Sequence, residues 1–312
     1  MASRMDLSLV EDKSTGASMN PPPARYPLLL MTTALAPLIW GSTYLVTTEF
    51  LPPDRPFYAA LLRCLPAGLL LLLWTRRWPQ RGEWLRLLLL GVLNIGLFQA
   101  MLFVAAYRLP GGLAAILTST QILMVLALSW LLGRQPQPKA AWYWALAGVA
   151  GIALLVYSPQ ARFDALGMVA ALAGAASMAL GLWFSKRWQS SMPLLAFTGW
   201  QLVAGGLFLL PLALWLEAPL PVLTLRHWGG YLYLCLVGAV LAYALFFRGI
   251  RLLPPAVVSS LGLLSPVCAF ALGWVFLDQR LSLPALLGFG LVLCAIYGVQ
   301  RALQDKASEA SA

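Results

Sequence analysis

Ten stretches of mostly apolar residues follow one another along the chain, at about 28–48, 57–75, 84–107, 111–132, 141–158, 165–185, 193–215, 228–250, 256–277 and 282–301. A helix that crosses a bilayer needs ~20 such residues. In lipid, each backbone N–H and C=O must find its partner inside the element, so runs of this length fold as helices. Pro and Gly punctuate the gaps, as at Pro52-Pro53, Pro110-Gly111, Pro136, Pro159, Pro193 and Pro254-Pro255. The gaps at Pro110 and Pro254 are short enough to force hairpins. The predicted fold is all-α and integral to the membrane. Only 10% of the 312 residues are charged, against about 25% in soluble domains.

The formal net charge of +10 does not point to nucleic acid, because the basic residues sit in short loops between apolar runs. With the amino-terminal tail inside, fifteen Lys and Arg fall on inner segments, among them Arg76, Arg77, Arg81, Arg134, Lys186 and Arg251. Five fall on outer segments (Arg55, Arg108, Arg162, Arg226 and Arg280), and Arg63 lies within a helix. That bias places both termini in the cytoplasm and the chain in the cell (inner) membrane. Tryptophans agree: Trp74, Trp78, Trp84, Trp142, Trp144 and Trp188 mark inner ends, Trp215 and Trp228 outer ends. Residues 1–27, with Pro21-Pro22-Pro23, read as a disordered tail without the apolar core of a secretory signal, and 302–312 as a second cytoplasmic tail. The four cysteines, Cys64, Cys235, Cys268 and Cys294, lie in apolar runs and read as packing residues.

The chain also repeats itself. Leu109-Pro110, Leu117, Ala127-Leu128, Trp130 and Gln135 recur 144 positions later as Leu253-Pro254, Leu261, Ala271-Leu272, Trp274 and Gln279. Gly148 and Tyr157 match Gly288 and Tyr297 at an offset of 140, and Pro56 with Ala67-Gly68 matches Pro193 with Ala204-Gly205 at 137. The repeats are 28–158 and 165–301, five helices each. An odd number of helices turns the second copy over, so two inverted five-helix repeats are expected, with a solute site between them near the midplane.

Trp40-Gly41-Ser42-Thr43-Tyr44, Leu62-Arg63 with Ala67-Gly68, and Ser265-Pro266 followed by Asp278 resemble the EamA family of the drug/metabolite transporter superfamily. The likeness spans about 32–301. It implies a carrier of small metabolites, with amino-acid and drug-like export common among bacterial members, and leans toward PecM-like or aromatic-amino-acid exporters. The first half departs from the pattern. Ile122 stands where the repeat puts Pro266, so the fourth helix is expected to be straighter than the ninth, and Arg134 replaces the acidic residue.

Arg63 is the one cation deep in an apolar run. A charge there costs on the order of 3 kcal/mol, so it must face protein or water. It either meets a solute carboxylate or snorkels and bonds helix-end carbonyls. Glu49, on the same side, is a candidate partner. Trp40, Thr43, Tyr44 and Thr47 share one helical face. With Arg63, Asn94, Gln99, Gln121, Trp183, Trp200, Tyr243 and Ser265, the members Trp40, Thr43 and Tyr44 form the candidate solute-binding set. Such polar groups must face inward, where helix-to-helix hydrogen bonding is the alternative use. Pro266 should kink the ninth helix.

An aromatic, mostly uncharged wall suits neutral or zwitterionic solutes, and one buried cation is too few for phosphates. No acidic residue lies at the centre of a helix; Glu49 and Asp278 are at ends. His227, the sole histidine, falls in an outer loop. No phosphate loop, metal-ligand cluster or Ser-His-Asp set can be assembled. The expectation is a secondary exporter acting as a monomer on a small-molecule solute, embedded in the lipid bilayer, with no cofactor, metal or nucleic-acid partner. A membrane-embedded enzyme acting on lipid and a non-transporting scaffold are the alternatives.

Overall fold

The computed structural model describes residues 26–109, 111–155, 164–188, 190–276 and 282–309. Its helices are α1 (Tyr26–Phe50), α2 (Pro56–Thr75), α3 (Trp84–Gly91, Val92–Leu97 and Phe98–Arg108 in one run), α4 (Gly111–Ser119 and Gln121–Leu131) and α5 (Lys139–Leu155). The second set is α6 (Ala165–Arg187), α7 (Leu194–Leu216), α8 (Leu225–Cys235, Leu236–Leu241 and Ala242–Leu252), α9 (Pro255–Gly262 and Leu264–Phe276) and α10 (Leu283–Glu309). Among the described residues nine of these are long and apolar enough to cross a bilayer, and α5 is an apolar helix of 17 residues. Helix α10 continues to Glu309, through the stretch read as a tail.

Helix ends follow from local chemistry. Pro56, with its fixed φ and missing N–H, opens α2. Asp164 caps α6 by accepting from the Gly167 N–H at 2.7 Å. Thr224 and His227 cap α8 reciprocally, which is the structural use of the lone histidine. Leu69, Leu73, Val169, Leu207 and Leu232 are exposed along the outside of the bundle, where lipid replaces water. Trp74, Trp78, Trp215 and Trp228 are exposed at helix ends, as an interfacial belt requires.

The repeat is written into the backbone as well as the sequence. Helix α3 widens by a turn of π geometry at Val92–Leu97, and α8 does so at Leu236–Leu241, 144 positions on. Both α4 and α9 break midway, at Thr120 and at Leu263. In α9 the cause is Pro266, which lacks the N–H that the Gly262 carbonyl needs; the Leu263 N–H instead bonds Ser260 O at 3.2 Å. The expectation of a straighter α4 is corrected. Without a proline, Thr118, Ser119 and Thr120 turn their hydroxyls back onto the carbonyls of Ala114, Ala115 and Leu117 at 2.6–3.2 Å. Such back-bonding bends a helix, and the Thr120 N–H bonds Leu117 O at 3.2 Å.

Packing obeys a two-fold exchange of the halves. Helix α1 packs on α8 and α9, and α6 packs on α3 and α4; α2 meets α7, and α5 meets α10. Swapping each helix for its counterpart in the other repeat returns the same set. Among the described residues ten helices thus form two five-helix repeats, and the odd number in each turns the second over relative to the first. Small residues allow the two self-paired contacts. A Cβ at Gly288 would stand 2.5 Å from Gly151 O, and one at Gly68 would stand 2.9 Å from Gly199 O.

Candidate functional site

Five of the candidate residues converge where α1, α2, α3 and α8 meet. Tyr243 is at the centre, 1% exposed. The Trp40 ring lies 5.0 Å from it and 4.9 Å from Phe246, and Phe247 stacks 5.9 Å behind. Gln99 Nε2 donates to the Tyr243 hydroxyl at 3.4 Å. The Arg63 guanidinium lies 5.8 Å from the centre of the Tyr243 ring, within cation–π range. Thr43 completes the group; its hydroxyl bonds back to Trp40 O at 2.6 Å, and its methyl faces Gly238.

The wide turn in α8 explains how Trp40 is held. The Ala242 N–H bonds Ala239 O and Val237 O and passes over Gly238, whose carbonyl an ordinary helix would have used. That freed carbonyl accepts the Trp40 indole N–H at 3.0 Å. One atom in the group stays unsatisfied: Arg63 Nε is buried and has no acceptor among the described residues. A buried charged donor left open is costly, so an acceptor arriving from outside would be drawn to it.

Asn94 is placed elsewhere. Its amide donates to Ser185 Oγ at 3.0 Å and to Gln201 Oε1 at 2.8 Å, tying α3 to α6 and α7. Asn94 and Gln201 are both fully buried, and Ser177 bonds Leu93 O beside them at 2.8 Å. This is a buried polar knot, in which Asn94 Oδ1 and Gln201 Nε2 have no partner among the described residues. Trp200 stands at the loop after α2: its indole N–H donates to Arg77 O at 3.0 Å, and its ring packs on Trp78 and Trp84 at 5.2 and 4.8 Å. Trp183 lies under the Arg187 guanidinium at 5.5 Å, near the end of α6. Gln121 starts the second segment of α4, half-buried. Ser265 is half-buried in α9, its carbonyl against Gly41. Tyr44 belongs to α1, and its side chain, like Asp278, lies outside the described residues.

Glu49 pairs with Arg226 on the first turn of α8 at 3.5 Å, not with Arg63. Arg63 sits about two turns inside its helix, out of reach of a carboxylate at the mouth. Phe246, Phe247 and Gly238 were missed by residue type, since nothing marks an apolar or glycine position as part of a site. Glu217 was missed as well. A cavity of about 400 Å³ opens between the halves, lined by Phe57, Phe103, Arg108, Leu166, Leu216 and Glu217 among others. Glu217 follows α7 and accepts from the Phe57 and Tyr58 N–H groups at 2.6 and 3.0 Å, capping α2 of the other half.

A ten-helix bundle of inverted repeats, with an aromatic and cationic group where they meet, defines a polytopic membrane protein of the transporter class. The EamA-like transporter family model matches residues 27–157 and 165–301, so the chain belongs to the EamA family of the drug/metabolite transporter superfamily. It is 47% identical to protein PecM of Dickeya dadantii over 85% of this chain and 90% of that protein. It is 28% identical to the uncharacterized transporter sll0355 of Synechocystis, covering 88% of this chain and 90% of the relative. It is also 28% identical to the uncharacterized inner membrane transporter YedA of Escherichia coli K12, covering 83% and 86%. One solved crystal structure shares the fold with a TM-score of 0.75 at 17% identity, covering 87% of this chain and 96% of the other. The chain is a multi-pass membrane transporter.

Proposed function

We propose that this transporter is a secondary carrier that exports small zwitterionic or amphipathic metabolites, neutral and aromatic amino acids foremost. The single observation behind this reading is Arg63. It is a half-buried residue whose Nε is buried without an acceptor among the described residues, beside a wall of Trp40, Tyr243 and Phe246. A carboxylate satisfies the cation, and an apolar or aromatic side chain meets the rings. One cation suits one carboxylate and is too few for a phosphate.

Alternating access follows from the inverted halves, which rock about a site at their interface. The excess of Lys and Arg in alternate loops supports a cytoplasmic position for both termini, and YedA, a relative, is named an inner membrane transporter. One chain carries both halves of the pathway and acts as a monomer, without cofactor or catalytic step.

Counterflow in proteoliposomes tests the reading, run over neutral and aromatic amino acids with and without a pH gradient. Exchange of at least one of them, lost in Arg63→Gln, is expected. Equal exchange by wild type and Arg63→Gln, or none across the series, would overturn it.

A further inference from the structure

The cavity of about 400 Å³ lies where the start of α2 and the end of α3 face the start of α6 and the end of α7. These four helix ends are on the face of the bundle opposite the chain termini, the outer face under the orientation proposed above. The volume is that of a small-molecule pocket, and its lining shares no residue with the Arg63 group. The two are neighbours along α3. Gln99, which bonds Tyr243, and Phe103, which lines the cavity, are four residues apart and so lie on one helical face, a single turn from each other.

The lining is apolar except for three charged residues, Asp54, Arg108 and Glu217. Glu217 is already used: both its oxygens accept N–H groups of α2. The Asp54 carboxylate is exposed and has no hydrogen bond or ion pair among the described residues. Its neighbour Arg55 donates to the backbone carbonyls of Pro219 and of Asp54 itself, not to the Asp54 carboxylate. Arg108 is also exposed and meets Asp164 through one terminal nitrogen at 3.6 Å, which leaves it further donors in its fork of five N–H groups. Phe103 is half-buried, and Phe57 backs it edge to face with 6.4 Å between ring centres. One cavity thus offers an open negative charge, a cation with donors to spare, and an aromatic wall.

The geometry points to this cavity as a second binding site, for an aromatic zwitterion of the L-phenylalanine kind: its ammonium goes to Asp54, its carboxylate to Arg108 and its ring to Phe103. A single-charged molecule would leave one of the two side chains without a partner, so the pair selects for zwitterions. The place of this site in the transport path, one turn from the Arg63 group on the way to the far face, rests on the carrier reading given above.

The test is photolabelling of the full-length protein in phospholipid nanodiscs with 4-azido-L-phenylalanine, read by peptide mass spectrometry in wild type and in Arg63→Gln. Label should reach the peptides carrying Phe57 and Phe103 in both proteins. L-phenylalanine should displace it; L-phenylalaninamide, which lacks the carboxylate, and N-acetyl-L-phenylalanine, which lacks the ammonium, should not. Asp54→Asn and Arg108→Gln should each raise the L-phenylalanine concentration for half-displacement by about twofold to fivefold, the worth of one exposed ion pair. Asn tolerates the left-handed backbone at position 54, where φ is 57°, so Asp54→Asn carries the comparison if Arg108→Gln folds poorly without its Asp164 contact. Glu49→Gln makes the same charge change outside the cavity lining, at the pair with Arg226, and should be displaced as wild type is. Label that resists L-phenylalanine, or that both single-charge analogues displace equally well, would make the cavity a crevice for lipid chains and overturn the assignment. If counterflow depends on Arg63 while no displaceable label reaches the cavity, this site falls and the carrier reading stands. If displaceable label reaches the cavity while counterflow ignores Arg63, the site stands and the carrier reading falls.

Discussion

Gln99 and Tyr243 occupy the same position in the two repeats, 144 residues apart, and they touch: the Gln99 amide donates to the Tyr243 hydroxyl at 3.4 Å. In a two-fold arrangement a position that contacts its own counterpart lies beside the axis. These two residues therefore mark where the halves meet, near the middle of α3 and α8. The Arg63 group is next to that axis, at the place where inverted-repeat carriers hold their cargo.

Tyr243→Phe should separate the hydroxyl from the ring. It keeps the stack on Phe247 and the face presented to Arg63 but leaves Gln99 Nε2 without its acceptor. An unpaired buried donor costs about 1–3 kcal/mol, so the unfolding midpoint in detergent should fall by a few degrees while exchange persists. Tyr243→Leu removes the ring too, and should lose exchange as well as stability. Intrinsic tryptophan fluorescence during heating reads the first effect and proteoliposome flux the second.

Arg63→Gln should behave in the opposite sense. The guanidinium has an unpaired Nε in a buried setting, so a neutral replacement relieves a cost, and stability should hold or rise. Solute affinity should drop by about tenfold or more, the loss of a charge-assisted bond. Arg63→Lys keeps the charge but not the planar fork, and should recover part of the affinity. A fall in folding yield with normal affinity in the protein that remains would make Arg63 a structural residue.

Several of these features could be read from the sequence because they are one-dimensional. Apolar run length gives the helices, Pro110 and Pro254 give the hairpins, and matched spacings give the duplication. The break at Thr120 was hidden, because it comes from three consecutive hydroxyls acting on their own helix and not from a proline. The wide turns at 92–97 and 236–241 carry no marker residue at all. Trp200 and Trp40 look alike in sequence as tryptophans in apolar runs, yet one rests on the loop at Arg77 and the other on Gly238. Asn94 shows the same limit: polarity places it inward, but only the approach of Ser185 and Gln201 shows that its amide nitrogen is already bonded.

The α5–α10 contact should be intolerant of side chains. Gly288 has the Gly151 carbonyl 2.5 Å from where its Cβ would stand, and the obstacle is backbone, which cannot rotate aside. Gly288→Ala should destabilise the protein by roughly 1–3 kcal/mol through overpacking, and Gly288→Leu should prevent the two helices from closing. Gly290→Ala, one residue pair further along α10 with open space around it, should be near neutral. Fluorescence-detected gel filtration of the three variants gives the ranking directly.

Glu217 should give the pH dependence a measurable component. Burial pushes its carboxyl above the ordinary glutamate range, against the opposing pull of the Phe57 and Tyr58 N–H groups and of Arg55. The folded protein thus holds this proton more tightly than the unfolded chain does. Across the window from the ordinary value to the raised one, the folded state carries more protons, and stability falls as pH rises. Glu217→Gln has no such proton, so its own contribution is flat. Gln, like the protonated acid, brings one carbonyl oxygen to the two N–H groups and carries no charge. The difference in stability, wild type minus Glu217→Gln, should therefore be greatest in acid, and this gap should narrow as pH climbs through the window just above the ordinary glutamate range. Thermal midpoints taken across mildly acidic to neutral pH measure it; a gap that stays constant or widens with pH would mean that the carboxylate is held ionised by the α2 terminus more strongly than burial opposes it.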